Sequence, residues 1–233
     1  MAFILVLLGL QLLLGNLTTA APSIPGDIKL PPGFNRAAMN FNYWQSSRWN
    51  GNTIPYTISS VFSSDERTRI KNAIGDFQRY TCLRFVERTT QYDYINIKKD
   101  SGCWSYVGRI GGAQDLSLGR GCLYDTGTPI HELMHAIGFF HEQSRPDRDN
   151  FVTIHWDQIS PDHRGNFDKL QSYQVNSFGS PYDYKSVMHY SANAFAIGTL
   201  PTITSKPPGI TLGQRIGFTN IDIYEINKLY GCY

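Results

Sequence analysis

The sequence GTPIHELMHAIGFFHE, residues 127–142 of this 233-residue chain, contains three histidines in a spacing that constrains the fold. His131 and His135 are four residues apart, so on a helix their side chains project from one face. His141 follows after six more residues, about 240° further round an ideal helix, and can meet the other two only if the helix ends first. Gly138 favours such an end, because glycine readily adopts the left-handed conformation that turns a chain away from a helix. The spacing therefore predicts a helix that stops near Gly138 and three histidines that converge.

Three converging histidines are typical of a zinc site. Neutral imidazoles bind Zn²⁺ at about 2.0–2.1 Å, and three of them leave a coordination position for water, as in catalytic rather than structural sites. Glu132 directly follows the first histidine, where its carboxylate can reach that water as a general base. We therefore predict one zinc ion per chain, held by His131, His135 and His141, with Glu132 as the catalytic base.

The beginning of the chain predicts a secretory signal peptide over residues 1–20. Residues 3–14 are an almost unbroken apolar run, interrupted only by Gly9 and Gln11. A membrane span needs about 20 apolar residues, so this run is too short for an anchor but suits the apolar region of a signal. Residues 18–20, Thr-Thr-Ala, are small enough to be a cleavage site. We expect a secreted, extracellular protein.

Residues 21–36 are rich in proline and glycine and show no periodicity, which predicts a pro-segment without folded structure. The cut that removes it follows Arg36 or lies as late as residue 39, before Asn40, and the sequence leaves both positions open. Residues 37–233 then form a single catalytic domain.

Composition excludes several classes of protein. Hydrophobic residues make up 41% of the chain and charged residues 17%, which is enough apolar material for a core and argues against intrinsic disorder. The net charge is +2, and no run of Lys and Arg reaches four residues. We therefore expect neither nucleic acid nor a membrane as a partner.

Local patterns predict mixed strands and helices in the first part of the chain. Alternation of apolar residues predicts three strands, at residues 54–58, 83–86 and 94–97. A capping box of Ser63 and Glu66 predicts the first helix. Its apolar face consists of Ile70, Ala73, Ile74 and Phe77.

Two more helices are predicted further along. The second has Thr128 as its N-cap and Pro129 as its first helical residue. The third spans about Thr219 to Tyr230, with Thr219 and Asp222 as the cap pair. Residues 172–217 are rich in Gly, Pro and Ser, which predicts irregular structure. The pattern as a whole indicates an α+β fold.

The four cysteines are expected to form disulfides, because a secreted chain folds in an oxidising compartment. Four cysteines allow three connectivities. We favour Cys103–Cys122 with Cys82–Cys232, since the first closes a short loop ahead of the second helix. The other disulfide then ties the C-terminal helix to the first helix.

The histidine stretch continues as HELMHAIGFFHEQSRPDRD, residues 131–149, and closely resembles the astacin family of metzincin zinc endopeptidases. SVMHY, residues 186–190, resembles the Met-turn of that family. The resemblance extends over residues 54–232, including YTCLRFVERT, SGCWSYVGR and GCLYDTGTPIHE. It implies a two-lobed catalytic domain with an active-site cleft between the lobes. The N-terminal lobe would contain a twisted, mainly antiparallel-edged sheet with helices, and the C-terminal lobe would be irregular with a terminal helix.

The resemblance also implies roles for individual residues. The three histidines bind zinc, Glu132 polarises the water, and Tyr190 is a fifth ligand. Met188 underlies the metal, and Glu142 helps to hold the mature N-terminus. Gly26-Asp27-Ile28 resembles the aspartate switch of the family, in which Asp27 occupies the water site on the zinc of the zymogen. The two disulfides of the family match the pairing favoured above.

We therefore expect a secreted zinc-dependent endopeptidase that hydrolyses extracellular proteins or peptides and is activated by another protease. We expect a monomer, without the CUB-like and EGF-like modules of many relatives, since the chain ends one residue after Cys232. The alternative is a catalytically silent, zinc-containing binding protein on the same scaffold, which the complete set of chemical groups disfavours. A serine hydrolase is disfavoured because the chain contains no G-x-S-x-G motif.

Overall fold

The structure, a computed structural model, describes residues 26–30 and 47–232. The predicted signal peptide, the rest of the predicted pro-segment and both candidate cut positions lie outside the described residues. None of the helices within them is both long and apolar enough to cross a membrane.

The first helix, α1 (Ser64–Tyr80), begins at the predicted capping box. Ser63 Oγ accepts a hydrogen bond from Glu66 N at 3.3 Å, and Glu66 Oε2 accepts one from Ser63 N at 2.9 Å. These bonds satisfy two backbone N–H groups that a helix start leaves unpaired. The buried face of α1 consists of the four predicted residues, Ile70, Ala73, Ile74 and Phe77.

Six strands form one sheet. In chain order they are β1 (Ile28–Lys29), β2 (Thr53–Ile58), β3 (Arg84–Glu87), β4 (Tyr94–Lys98), β5 (Cys103–Tyr106) and β6 (Ala113–Leu118). Their order across the sheet is β1-β5-β6-β4-β2-β3. The neighbouring strands β6, β4, β2 and β3 run parallel to one another. Strand β5 is antiparallel to β6 and parallel to β1, so β5–β6 is the one antiparallel pair of this sheet in the described residues.

The three predicted strands are confirmed as β2, β3 and β4, whereas the sequence predicts neither β5 nor β6. The buried positions of these two strands include three polar residues, Ser105, Gln114 and Ser117. Polar residues at buried positions break the apolar alternation from which strands are inferred.

The expectation that residues 21–36 have no folded structure is wrong for Ile28 and Lys29. These two residues form β1, which pairs in parallel with β5 through Ser105 and Tyr106. Ser105 N also donates to Asp27 O at 2.7 Å. A two-residue strand has no periodicity of its own, and it exists here because β5 offers an unpaired edge.

The second helix, α2 (Gly127–Ala136), starts two residues earlier than predicted, and Thr128 is not its N-cap. The Thr128 hydroxyl donates a hydrogen bond to Asp125 Oδ2 at 3.1 Å, and the Thr128 N–H donates one to Asp125 Oδ1 at 2.7 Å. The Asp125 carboxylate therefore accepts from a backbone N–H in the first turn of α2, the role that an N-cap side chain normally has. At the other end Gly138 has a φ of 115°, a value that favours glycine, and the predicted end of the helix is confirmed.

The remaining chain forms the second, mostly irregular lobe. Strands β7 (Val152–Ile154) and β8 (Ile203–Ser205) form a small antiparallel sheet, and β8 is the only strand within residues 172–217. This lobe has its own core, made of Val152, Ile159, Phe167, Tyr182, Tyr190, Ile203 and Leu212.

The last helix, α3 (Asn220–Tyr230), has the predicted cap pair of Thr219 and Asp222. Disulfides join Cys82 to Cys232 and Cys103 to Cys122, the favoured one of the three connectivities. The former ties the end of α3 to the end of α1. The α+β fold expected from the sequence is therefore confirmed.

Candidate metal centre

The structure brings the three histidines together at the end of α2. His135 Nε2 lies 3.1 Å from His131 Nε2 and 3.2 Å from His141 Nε2. The first two project from one face of α2, and the turn at Gly138 returns the chain so that His141 faces them. All three side chains are buried.

The arrangement of hydrogen bonds indicates that these nitrogens face a cation. His131 Nδ1 lies 2.8 Å from Val187 O, and His135 Nδ1 lies 2.7 Å from Phe139 O. A carbonyl oxygen only accepts, so both Nδ1 atoms carry the proton and both Nε2 atoms present a lone pair. Burial lowers the pKa of both imidazoles, which keeps them neutral.

Lone pairs that point at one another are unfavourable unless a cation lies between them. Two nitrogens bound to zinc at tetrahedral angles are about 3.3–3.4 Å apart, given a Zn–N distance of about 2.0–2.1 Å. The separations of 3.1 and 3.2 Å are close to that geometry. The residues present therefore fit one zinc ion.

A carboxylate oxygen of Asp27 joins the three histidine nitrogens as a fourth candidate ligand atom. Its Oδ2 lies 3.0 Å from His131 Nε2 and 3.1 Å from His141 Nε2. The ligand atoms of Asp27 and the three histidines all lie within 4.8 Å of one another. Burial alone would raise the pKa of Asp27, but the charge of His141 and hydrogen bonds with His131 and His141 lower it well below its usual value.

Glu132 is buried beside the histidines, with only 1% of its surface exposed. Among the described residues, no side chain or backbone group bonds its Oε2. Burial raises the pKa of Glu132 well above its ordinary value, and the nearby Asp27 carboxylate raises it further. A buried carboxylate with a free oxygen and a raised pKa is suited to accept a proton during a reaction.

Tyr190 lies beside the same cluster. Its ring centroid is 4.3 Å from that of His141, and its hydroxyl is 3.4 Å from Asp27 Oδ1. The backbone of Tyr190 is held by Gln143, whose Oε1 accepts from Tyr190 N at 3.0 Å. The phenol is therefore near the proposed ligands.

The turn that carries Met188 is fastened to α3. Met188 is buried, and its N–H donates to Ser186 Oγ at 3.0 Å. Asp222 accepts from Ser186 Oγ at 2.6 Å and from Val187 N at 3.1 Å. Since Val187 O in turn accepts from His131, this one carboxylate orders the turn that orients the first histidine.

Glu142 borders a cavity of about 670 Å³ on the far side of the metal-binding loop. Its Oε1 accepts from Asp183 N at 2.8 Å and from Arg145 Nη1 at 3.2 Å. Burial nevertheless raises the pKa of Glu142 to about 8. Glu225 lines the same cavity, and burial raises its pKa to about 7 although Ser180 donates to it. Two buried acidic groups with raised pKa values therefore border this cavity.

Sequence reasoning found neither Gln143 nor the hydrogen bonds of Arg215 to this turn, and it found only one of the two roles of Asp222. Arg215 Nη1 donates to Val187 O at 3.0 Å and to His189 O at 3.1 Å, so it braces the same turn. These residues act on backbone groups far away in the chain, for which no short sequence signal exists. The capping pattern at Thr219 was the only local sign that Asp222 matters.

The comparison with protein families gives a match over most of the chain. The model of the peptidase family described as Astacin matches residues 41–231. That range includes the three histidines, Glu132 and Tyr190.

Curated proteins and solved structures give the same picture. Zinc metalloproteinase nas-13 of Caenorhabditis elegans is 46% identical over 201 residues, which are 86% of this chain and 44% of that protein. High choriolytic enzyme 1 of Oryzias latipes is 42% identical over 95% of this chain and 83% of that protein. A solved structure of that enzyme, titled a hatching enzyme zinc-protease, has a TM-score of 0.77 and 44% identity over 81% of this chain and 96% of its own. The chain thus spans less than two thirds of nas-13 but most of the fish enzyme.

The buried Asp222 carboxylate generates a prediction about stability. Asp222→Ala leaves Thr219 N–H, Val187 N–H and the Ser186 hydroxyl without their acceptor, and we expect the free energy of unfolding to fall by about 2–4 kcal/mol. Denaturant unfolding of the zinc-loaded protein measures this. Asp65→Ala, which removes an exposed carboxylate from α1, is the control and should cost less than about 1 kcal/mol. An equal effect of the two substitutions would contradict the role of Asp222.

Proposed function

The chain belongs to the astacin family of peptidases, and from that membership we propose that it is a zinc-dependent endopeptidase acting on proteins or peptides. The observation that carries the proposal is the convergence of three histidine Nε2 atoms beside a buried carboxylate. That combination is typical of sites that hydrolyse a bond with an activated water.

His131, His135 and His141 would hold the zinc ion, which when bound polarises both the attacking water and the substrate carbonyl. Glu132 takes a proton from the water as it attacks and delivers a proton to the leaving amine. Its free oxygen and its raised pKa support this role. Peptide hydrolysis thereby needs no further acid or base from the chain.

Tyr190 is proposed as a fifth zinc ligand. Its hydroxyl would leave the metal during the reaction and form a hydrogen bond to the substrate. Its hydroxyl is near Asp27, and its backbone is anchored by Gln143, which supports a phenol that moves while its main chain stays in place. During attack the hydroxyl would donate to the negative charge that develops on the carbonyl oxygen.

Asp27 is proposed to keep the uncut chain inactive. The carboxylate lies among the three histidines, where a carboxylate can bind zinc at about 2.0–2.2 Å and exclude the water. Pairing of β1 with β5 supports the same interpretation, since it lays the pro-segment along the edge of the sheet. Removal of residues 21–36, or of residues up to 39, by another protease would then release activity.

The cavity beside Glu142 is proposed to receive the new N-terminus after that cut. Burial raises the pKa of Glu142 and Glu225 on its border, because their ionised forms lack enough compensating charge. An ammonium group in the cavity would supply that charge and stabilise both carboxylates. Glu142 directly follows His141, and this contact would connect the cut to the metal-binding loop.

We propose secretion after removal of the predicted signal peptide. Both disulfides support an oxidising compartment, where such bonds persist. The substrates would then be extracellular proteins, and we expect the chain to act as a monomer.

The test of the proposed function is hydrolysis of casein or gelatin by the cut protein. We expect activity that is lost with a chelator and restored by zinc. Glu132→Gln should keep about one zinc per chain but lose activity by about 10²–10⁴-fold or more, because the water loses its proton acceptor. Metal analysis and initial rates measure the two effects.

Glu87→Gln is the matched control, because Glu87 is an exposed carboxylate that pairs with Lys71 at the surface. Its activity should stay unchanged. If Glu132→Gln kept more than about a tenth of the wild-type rate, the base would be wrongly assigned. A cut, zinc-loaded wild type that hydrolyses no substrate would instead favour the silent binding protein.

Tyr190→Phe should lower kcat by about 10²–10³-fold, because the hydrogen bond to the transition state is lost. Zinc content and unfolding should stay unchanged, because the three histidines still hold the ion. Steady-state kinetics on one peptide substrate measure this. Tyr184→Phe is the control, since its hydroxyl bonds Phe151 O and not the cluster. An unaltered kcat for Tyr190→Phe would restrict Tyr190 to a structural role.

Asp27→Ala should raise the activity of the uncut protein, because the carboxylate no longer competes with water. The comparison uses uncut protein verified by N-terminal sequencing, and the cut forms of wild type and variant should be identical. Lys29→Ala is the control, because it changes the same segment without touching the histidine cluster. Lys29 Nζ instead lies over the Trp104 ring, 3.2 Å from its centroid. Equal latency of the wild type and Asp27→Ala would mean that the pro-segment blocks the cleft sterically.

A further inference from the structure

The residue that follows Asp27 fills an apolar pocket next to the metal centre. Ile28 is 2% exposed, and its side chain packs in a cluster with Val107, Phe140 and Leu170. Asp27 therefore reaches the histidines while its neighbour is buried in a separate, apolar environment.

The walls of this pocket come from three different parts of the fold. Val107 directly follows the edge strand β5, and Phe140 lies between the second and third histidines. Leu170 belongs to the C-terminal lobe, where its N–H donates to Ser144 O at 2.8 Å. The pocket thus lies where both lobes meet the metal centre, and its walls remain after the predicted cut, whereas Ile28 leaves.

Removal of Ile28 would expose an apolar surface and the edge of β5 together. In this structure Ser105 N donates to Asp27 O at 2.7 Å. Once Asp27 leaves, this N–H can donate to the backbone of another extended chain. An extended peptide that adds to a sheet edge receives backbone hydrogen bonds there, and pockets for alternate side chains select its sequence.

We propose that the pocket formed by Val107, Phe140 and Leu170 is a substrate subsite that selects an aliphatic side chain near the scissile bond. This inference depends on the proposed peptidase function. The occupant that the structure shows is an isoleucine, and the side chains of Val107, Phe140 and Leu170 around it are all apolar, an environment that disfavours a charged side chain. Aliphatic residues of similar size to Ile28 should therefore be preferred at one substrate position.

The expected preference is large enough to measure. Each methylene that a hydrophobic pocket accepts or loses changes kcat/KM by about 10-fold or more. Peptides with Ile or Leu at this position should thus be cleaved at least about tenfold faster than peptides with Ala, and the advantage over peptides with Asp should be larger still.

The experiment determines cleavage profiles of the cut enzyme on a peptide library, followed by kcat/KM for single-position peptide series. Leu170→Ala enlarges the pocket and should shift the preference at that one position from Ile and Leu towards Phe. Leu170→Phe fills it and should shift the preference towards Ala. Opposite shifts from two substitutions at one residue would not arise from partial unfolding.

Leu83→Ala is the matched control, because Leu83 is a similarly buried leucine next to Cys82 in the other lobe. It should leave the profile unchanged. Cleavage without aliphatic preference at any position near the scissile bond, or profiles that Leu170 substitutions do not change, would overturn the subsite. If no peptide is cleaved at all, the proposed function fails instead, so the two failures are distinguishable.

Discussion

The close approach of three buried histidine Nε2 atoms imposes the strictest requirement on this fold. His135 Nε2 lies within 3.1–3.2 Å of the corresponding atoms of His131 and His141. Such an arrangement is unfavourable without a cation, and the surrounding chain must hold it in place. The backbone carbonyls of Val187 and Phe139 do so by accepting the Nδ1 protons of two of the rings. The zinc affinity of this chain thus depends on carbonyl positions as much as on the histidines themselves.

Hydrogen bonds to the C-terminal helix fix the position of the turn that carries Val187. Asp222 caps α3 through Thr219 and, with the same carboxylate, accepts from Ser186 and Val187. Arg215 donates to the carbonyls of the same turn from another side. Because the Cys82–Cys232 disulfide ties the end of α3 to α1, the helix that orders the metal centre is attached to both lobes. Sheet, terminal helix and metal centre therefore form one continuous support.

The proposed pro-segment contacts this part of the fold in two ways. Asp27 presents a carboxylate to the histidines, and Ile28 adds its backbone to β5 and its side chain to an apolar pocket. A single ligand would compete poorly with bulk water unless other contacts held it near the metal, and the strand pairing and the buried isoleucine supply those contacts. Latency and substrate recognition are linked in this view, because the same sheet edge and pocket become available when the segment is removed.

Features that arise from short-range periodicity and spacing could be predicted from the amino-acid sequence. The interval of four between His131 and His135, the break at Gly138 and the capping boxes at Ser63 and Thr219 all follow from interactions within one helical turn. The strands β2, β3 and β4 follow from alternation in the same way. The prediction that Thr128 is the N-cap of α2 was wrong. The nearby Asp125 accepts from both the N–H and the hydroxyl of Thr128 and takes over the capping role.

The groups that support those local features are set by how distant parts of the chain pack together. Val187 O meets His131 across 56 residues, and Asp222 meets Val187 N across 35. The strand at Ile28 exists only because β5 has a free edge, and its pocket is assembled from three separate segments. Such contacts depend on how the elements pack against one another. A single sequence contains no periodicity that encodes packing over these distances, so it predicts the ligands of the metal but not what holds them.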